Sequence, residues 1–179
     1  MKKVKLMIDD KVVFEYVEPQ NTETYGKKVF DGFDANRNVK EYDGIVATIQ
    51  KWYYDGYLSK TQWCASSMSY FCHLAGCLDN IGGKNDNVCA MMKACERAGK
   101  EGKGTFLKGS DIPATIPKYA ILFWLWEGQM SEDNPKKHVG MAEYAASGNT
   151  IYCIGGNQSD KICTKAYDRK YLYAIYVLP

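Results

Sequence analysis

The sequence contains no Cys-x-x-Cys pair and only two histidines, His73 and His138, set far apart. The ligand spacing of a structural zinc site is therefore missing, and neither a metal nor another cofactor is expected. There is no apolar run approaching the ~18 residues that a bilayer span requires, so no membrane span is expected. Neither sign of charge is in excess: 23 Lys and Arg face 21 Asp and Glu, well mixed along the chain, which gives no footprint for nucleic acid. The start, Met1-Lys2-Lys3-Val4-Lys5-Leu6, is basic but meets Asp9-Asp10 before an apolar stretch of secretory length develops. Synthesis in the cytoplasm without a signal peptide of its own is the expectation. In that setting the 7 cysteines, an odd number, read as reduced thiols, most of them small core residues.

What is present suits one globular domain. A length of 179 residues with 46% hydrophobic and 25% charged residues supports a single core and excludes disorder. The 14 tyrosines fit half-buried strands first and a sugar- or peptide-binding groove second.

Residues 3 to 17 alternate, with Val4, Leu6 and Ile8 before Asp9-Asp10-Lys11 and Val12, Phe14 and Tyr16 after it, which predicts a hairpin. From Glu18 to Tyr42 the chain is polar and carries Pro19, Gly26 and Gly32, and reads as an irregular wrapping segment. Residues 1–40 thus read as an accessory hairpin and wrapping segment within a single domain spanning 1–179. Ile45, Ile49, Trp52 and Tyr53 mark one face of an amphipathic helix. Thr61 offers an N-cap for a second helix with Cys64 in its first turn and Met68, Phe71, Leu74 and Ala75 along its buried stripe, closed by Gly76. Val88, Met91, Met92, Cys95 and Ala98 mark a third, ending at Gly99. Lys100 to Lys118 reads as loop, and the apolar run Tyr119 to Trp126 as a central strand. Strands around 138–145, 150–154, 162–166 and 171–177 complete an α+β pattern, helices first and antiparallel sheet second.

A thiol in the first turn of a helix lies in the field of unpaired backbone N–H groups, which favours the thiolate. Cys64 is therefore a candidate nucleophile and requires a base. His73 lies nine residues along the same helix, about half a turn round and about 13 Å further down the axis, and cannot serve. His138 remains. If Ser147-Gly148 is a two-residue turn, paired residue numbers total 295 and His138 faces Asn157, with Cβ atoms ~5 Å apart. A Gly148-Asn149 turn displaces Asn157 by two residues on the same face, and a three-residue loop puts it on the other face. A Cys-His-Asn set is what amide cleavage through a thioester needs: Cys64 attacks, His138 carries the proton and Asn157 fixes the imidazole tautomer. The Cys64 backbone N–H and the neighbouring Gln62 are candidate oxyanion donors, and Trp63 beside them is a candidate substrate contact. Singly, each has an ordinary structural use: Cys64 as core filler, His138 as a strand end and Asn157 as a turn residue after two glycines.

Trp63-Cys64-Ala65-Ser66 opening a helix, then an apolar strand, His138-Val139-Gly140 and Gly155-Gly156-Asn157-Gln158-Ser159-Asp160 together resemble the CHAP and NlpC-type papain-like cysteine peptidases and amidases. The resemblance covers about residues 41–179. It implies a papain-like fold with Cys64 as nucleophile, His138 as base and Asn157 as third member. It also implies a monomeric hydrolase of bacterial peptidoglycan, either an endopeptidase or an N-acetylmuramoyl-L-alanine amidase of the phage-lysin kind, acting at the cell wall after release or export. Two positions depart from the family pattern. Pro117-Lys118-Tyr119-Ala120 stands where a Gly-Asp pair is common, and Gly156 stands where many relatives place an acidic residue. A Cys-His hydrolase acting on another amide and a catalytically silent wall-binding or virion protein are the competing readings.

Overall fold

The computed structural model describes residues 3–8, 11–17, 23–56 and 62–179. Its first elements are β1 (Lys3–Ile8) and β2 (Lys11–Val17), an antiparallel pair with Val4 opposite Tyr16 and Leu6 opposite Phe14. Asp9 and Asp10, expected to form the turn, lie outside the described residues. Four helices follow: α1 (Tyr25–Asp34), α2 (Gly44–Tyr53), α3 (Cys64–Leu74) and α4 (Val88–Lys100). Then come β3 (Thr105–Lys108), β4 (Ile121–Leu125), β5 (Lys137–Ala142), β6 (Thr150–Gly155), β7 (Cys163–Asp168) and β8 (Leu172–Val177). These six form one antiparallel sheet in the order β3-β8-β4-β5-β6-β7, and the fold is α+β.

The segment expected to be irregular contains α1. Thr24 caps it, its side-chain oxygen accepting from the Lys27 N–H at 3.2 Å, and Val29, Phe30 and Phe33 bury at i, i+1 and i+4. Phe33 packs on Phe71 of α3 with ring centroids 4.4 Å apart, which fastens α1 to the central helix. The expected loop at 100–118 likewise contains β3, an edge strand held by β8 with Phe106 opposite Tyr176. In α2 the buried face is Val46, Ile49 and Gln50, about one residue round from the expected stripe. Trp52 is left half-buried and stacked on His73 at 5.1 Å.

Helix α3 is the centre of the fold. Every residue from Cys64 to Cys72 is buried, because α1 and α2 cover the side that the sheet does not. Its serines are satisfied within that core: Ser66 Oγ donates to the Trp63 carbonyl at 3.1 Å, Ser67 Oγ to the Cys64 carbonyl at 2.8 Å and Ser69 Oγ to the Asn85 carbonyl at 2.7 Å. The helix stops at Gly76, whose φ of +74° a residue with a Cβ resists. The Gly76 N–H reaches the His73 carbonyl at 3.0 Å and the Cys77 N–H the Cys72 carbonyl at 2.9 Å, a Schellman cap. Helix α4 buries Val88, Met91, Met92, Cys95 and Ala98 as its periodicity predicts, with the Asn87 side chain capping the Cys89 N–H at 2.9 Å.

The sheet has two covered faces. Ile121, Phe123, Val139, Met141, Ile154, Ala174 and Tyr176 belong to the helix-side core. Leu122, Trp124, Ala142, Ile151, Cys153 and Ile175 form a second core on the far side, joined by Ile116 and Ala120. Burial on both faces explains why β4 reads as a continuous apolar run rather than an alternating one. No described helix is long and apolar enough to cross a membrane.

Candidate active site

Cys64 is the first residue of α3, after Trp63 as N-cap. Thr61, expected to cap the helix, lies outside the described residues, and Trp63 makes no side-chain cap bond. The backbone N–H groups of Val139, Ala65 and Cys64 itself point at the sulfur and favour thiolate, as the helix-tip argument requires. Burial works against them and wins. Cys64 is 2% exposed, and loss of hydration holds the thiol above its ordinary pKa. The expectation of a ready thiolate is thus corrected: the helix field is present, but the sulfur lies too deep for it to dominate.

His138 sits on β5 opposite Trp124 of β4. Its ring faces Trp126 and Tyr167, with centroids 6.3 and 6.1 Å away, and it is 6% exposed. Burial first, and the charge of Lys165 second, push its pKa down to about 3. Its Nε2 is buried with no hydrogen-bond partner among the described residues. The resting pair is therefore a neutral thiol and a neutral imidazole.

The β5–β6 register matches the first of the turn options. Met141 faces Ile154 and Ala142 faces Cys153, so paired numbers total 295. The turn itself differs. Ala146 bridges to Ile116 instead of closing on Asn149, with N–H to carbonyl bonds of 3.1 and 2.7 Å between them. On the side of His138 the pairing stops at Met141 and Ile154, so the ladder does not reach 138 and 157, while on the turn side the Glu143 N–H still bonds the Tyr152 carbonyl at 2.9 Å. Just past the end of β6 the Trp63 indole and Ser67 lie against Gly156: a Cβ there would come within 2.6 Å of the Trp63 ring and 2.4 Å of Ser67 Oγ. A glycine is required for this close approach, which lets the tip of α3 pack against the end of β6. Trp63 is fully buried in the helix-side core, so its indole is a packing wedge and not a substrate contact.

Asn157 has a φ of +58°, left-handed backbone that Asn tolerates, and makes no hydrogen bond to His138 among the described residues. The next residue, which the spacing argument did not single out, holds this wall together. Gln158 is 2% exposed, and its Nε2 donates to the carbonyls of Cys153 (3.1 Å), Gly155 (3.3 Å) and Cys163 (2.5 Å), while Oε1 accepts from the Tyr167 hydroxyl at 2.7 Å. A Cβ built on Gly155 would lie 3.1 Å from His138 Nε2 and 3.3 Å from Gln158 Nε2, which sets both side chains against the same glycine. The only sequence signal for Gln158 was its place within Gly155-Gly156-Asn157-Gln158.

Cys64, His138, Asn157 and Gln62 line one cavity of about 180 Å³, together with Trp126, Pro135, Lys137, Gln158, Lys165 and Tyr167. A second cleft of about 250 Å³ shares Gln62, Cys64, Pro135 and Lys137 and continues over Asp86, Asn87, Glu132 and Asp133. The two make a groove that crosses Cys64. Lys137 stiffens its floor, its ammonium donating to the backbone carbonyls of Glu132 at 2.8 Å and of Asn134. His73 is exposed and stacked on Trp52 at the other end of α3, away from this cavity. Among the described residues no group of three or more His, Cys, Asp and Glu is placed to hold a metal ion. The groove offers a thiol, an imidazole with an open nitrogen and amide donors, groups of the kind that covalent acyl transfer uses. No protein-family model and no curated protein matches the chain.

Proposed function

We propose that the chain is a papain-like cysteine hydrolase that cleaves an amide bond in the peptide stem of bacterial peptidoglycan, as an endopeptidase or an N-acetylmuramoyl-L-alanine amidase. The observation that carries the reaction is that Cys64 and His138 open onto one cavity at the N-terminus of a buried helix. The substrate rests on the resemblance of Trp63-Cys64-Ala65-Ser66, His138-Val139-Gly140 and Gly155-Gly156-Asn157-Gln158 to wall-cleaving enzymes. Action at the wall, as a monomer, is part of the same proposal.

In this mechanism the Cys64 thiol gives its proton to His138 as sulfur bonds to the amide carbon, and the carbonyl π electrons move to oxygen. The oxyanion is received by N–H donors at the start of α3, with the Gln62 amide at the groove mouth as a second donor. Collapse expels the amine, which takes the proton from His138 and leaves a thioester. Water, deprotonated by His138, then releases the acid and restores the thiol. Because both resting groups are neutral, proton transfer accompanies attack instead of preceding it.

A catalytically silent wall-binding protein is the second reading, favoured by the depth of Cys64 and by the absence of an Asn157–His138 bond. The two separate on one experiment. Purified protein incubated with isolated peptidoglycan releases fragments if it is the hydrolase, and Cys64→Ala does not. Wall pull-down with no fragment release, unaffected by thiol alkylation, would favour the silent reading.

A further inference from the structure

Lys165 is a half-buried cation without a partner among the described residues. It stands on β7 opposite Cys153, on the same face as Tyr167, and forms part of the cavity wall that holds Cys64 and His138. Among the described residues it makes no ion pair and no hydrogen bond. The acids that could have taken it are committed elsewhere. Glu143 accepts from Arg37 Nη2 at 2.8 Å and from Thr164 Oγ1 at 2.6 Å, and Asp168 accepts from the Lys170 N–H at 3.0 Å with the Lys170 ammonium 3.3 Å away. An ordinary surface lysine extends into water; this one lines a small cavity in which Gln158, Tyr167 and Lys137 are hydrogen-bonded and the His138 imidazole is left open. Among the described residues His138 Nε2 has no partner, and the Asn157 side chain makes no bond across to it.

We propose that Lys165 is a carboxylate anchor, so that the substrate is an amide bearing a carboxylate close to the bond that Cys64 attacks. This rests on the hydrolase reading for its substrate, and it narrows that substrate to an anionic acyl or amine portion. Of the two lysines that line the cavity of about 180 Å³, Lys137 is bound to the Glu132 and Asn134 carbonyls, which leaves the Lys165 ammonium as the one open to a singly charged, planar carboxylate. The wall behind it is rigid, because Tyr167 is tied to Gln158 and Gln158 to three backbone carbonyls. The anchor also has a catalytic consequence. Lys165 is the charge that bears on His138, and a carboxylate seated on it cancels that charge, so a correctly anchored substrate makes the imidazole a better proton acceptor.

The test uses matched thiol reagents on the full chain, iodoacetate and iodoacetamide, with modification of Cys64 followed by peptide mass spectrometry. Both reagents need the same thiolate, so their rate ratio isolates the effect of the reagent's carboxylate. Relative to N-acetylcysteine, the ratio at Cys64 is expected to favour iodoacetate by about tenfold, the scale of one opposite charge at short range in a partly exposed site. Lys165→Met and Lys165→Gln should each bring it down towards the free-thiol value, with Lys137 the cation that remains, and Lys165→Arg should keep it. An unchanged ratio in the neutral variants would overturn the anchor. The readout needs no turnover, so an absence of peptidoglycan cleavage would remove the hydrolase reading and leave this result standing. Cleavage with an unchanged alkylation ratio would do the reverse.

Discussion

A histidine buried as the neutral base makes the fold sensitive to acid in a calculable way. The unfolded chain exposes the His138 imidazole at its ordinary value of 6.5, whereas the folded protein holds it at about 3. Between those values the unfolded state binds a proton that the folded state refuses, so stability is complete above pH 6.5 and falls as pH drops towards 3. The slope approaches about 1.4 kcal/mol per pH unit, which gives about 3 kcal/mol lost by pH 4.5 and about 5 kcal/mol over the whole window. The perturbation is His138→Phe, which keeps a ring of similar size in the pocket between Trp126 and Tyr167 and removes the titration. Urea unfolding of both proteins at pH 7.5 and 4.5 gives a difference of differences in which the shared carboxylates cancel. The variant should lose about 3 kcal/mol less than the native protein on acidification. Equal losses would refute the buried neutral imidazole, and with it the description of the resting pair.

Three other outcomes follow from the same geometry. Alkylation of Cys64 by iodoacetamide should keep rising with pH beyond 9, since burial raises the thiol; a rate that plateaus at neutral pH would mean a thiolate–imidazolium pair instead. Gly156→Ala should cost about 1–3 kcal/mol in unfolding free energy and quench or shift Trp63 fluorescence, because the new methyl meets the indole and Ser67; an unaltered melting curve would contradict the wedge. Gln158→Ala, which strands three carbonyls and the Tyr167 hydroxyl, should lower the urea midpoint by the equivalent of about 2–4 kcal/mol, while Asn157→Ala leaves it nearly unchanged; the opposite ranking would mean that Asn157 is the structural amide.

Periodicity located the elements that bury a full stripe. Helix α4 and the β4 run stand where their apolar patterns put them, and the β5–β6 register agrees with a count made from two strands and a presumed turn. The turn itself differed because Ala146 is claimed by Ile116, a partner 30 positions earlier that no local count includes. Helix α1 was hidden by Gly26 and Gly32 in a polar segment, and only Val29, Phe30 and Phe33 reach the core. Strand β3 was hidden because four residues at a sheet edge carry little pattern of their own.

At the site, local sequence pointed to Cys64 and His138 but not to their depth. A helix-tip cysteine is read as activated until the rest of the fold says how much water it has lost, and here α1, α2 and the sheet close over α3. Trp63 was read as a contact from its neighbourhood and is instead buried in the helix-side core against Gly156. Gln158 was passed over for Asn157 because a pairing count chooses positions opposite a strand, whereas the loop after Gly155 leaves the ladder and turns Gln158 inward.

The most direct measurement of the central claim is mass spectrometry of the soluble products after purified protein is incubated with isolated bacterial peptidoglycan, beside a folded Cys64→Ala control. The account predicts new fragments ending at one stem amide, either the muramic acid to alanine bond or a bond between amino acids, and none from the control. Fragments released equally by Cys64→Ala, or by neither protein, would contradict Cys64 as the nucleophile of a wall hydrolase.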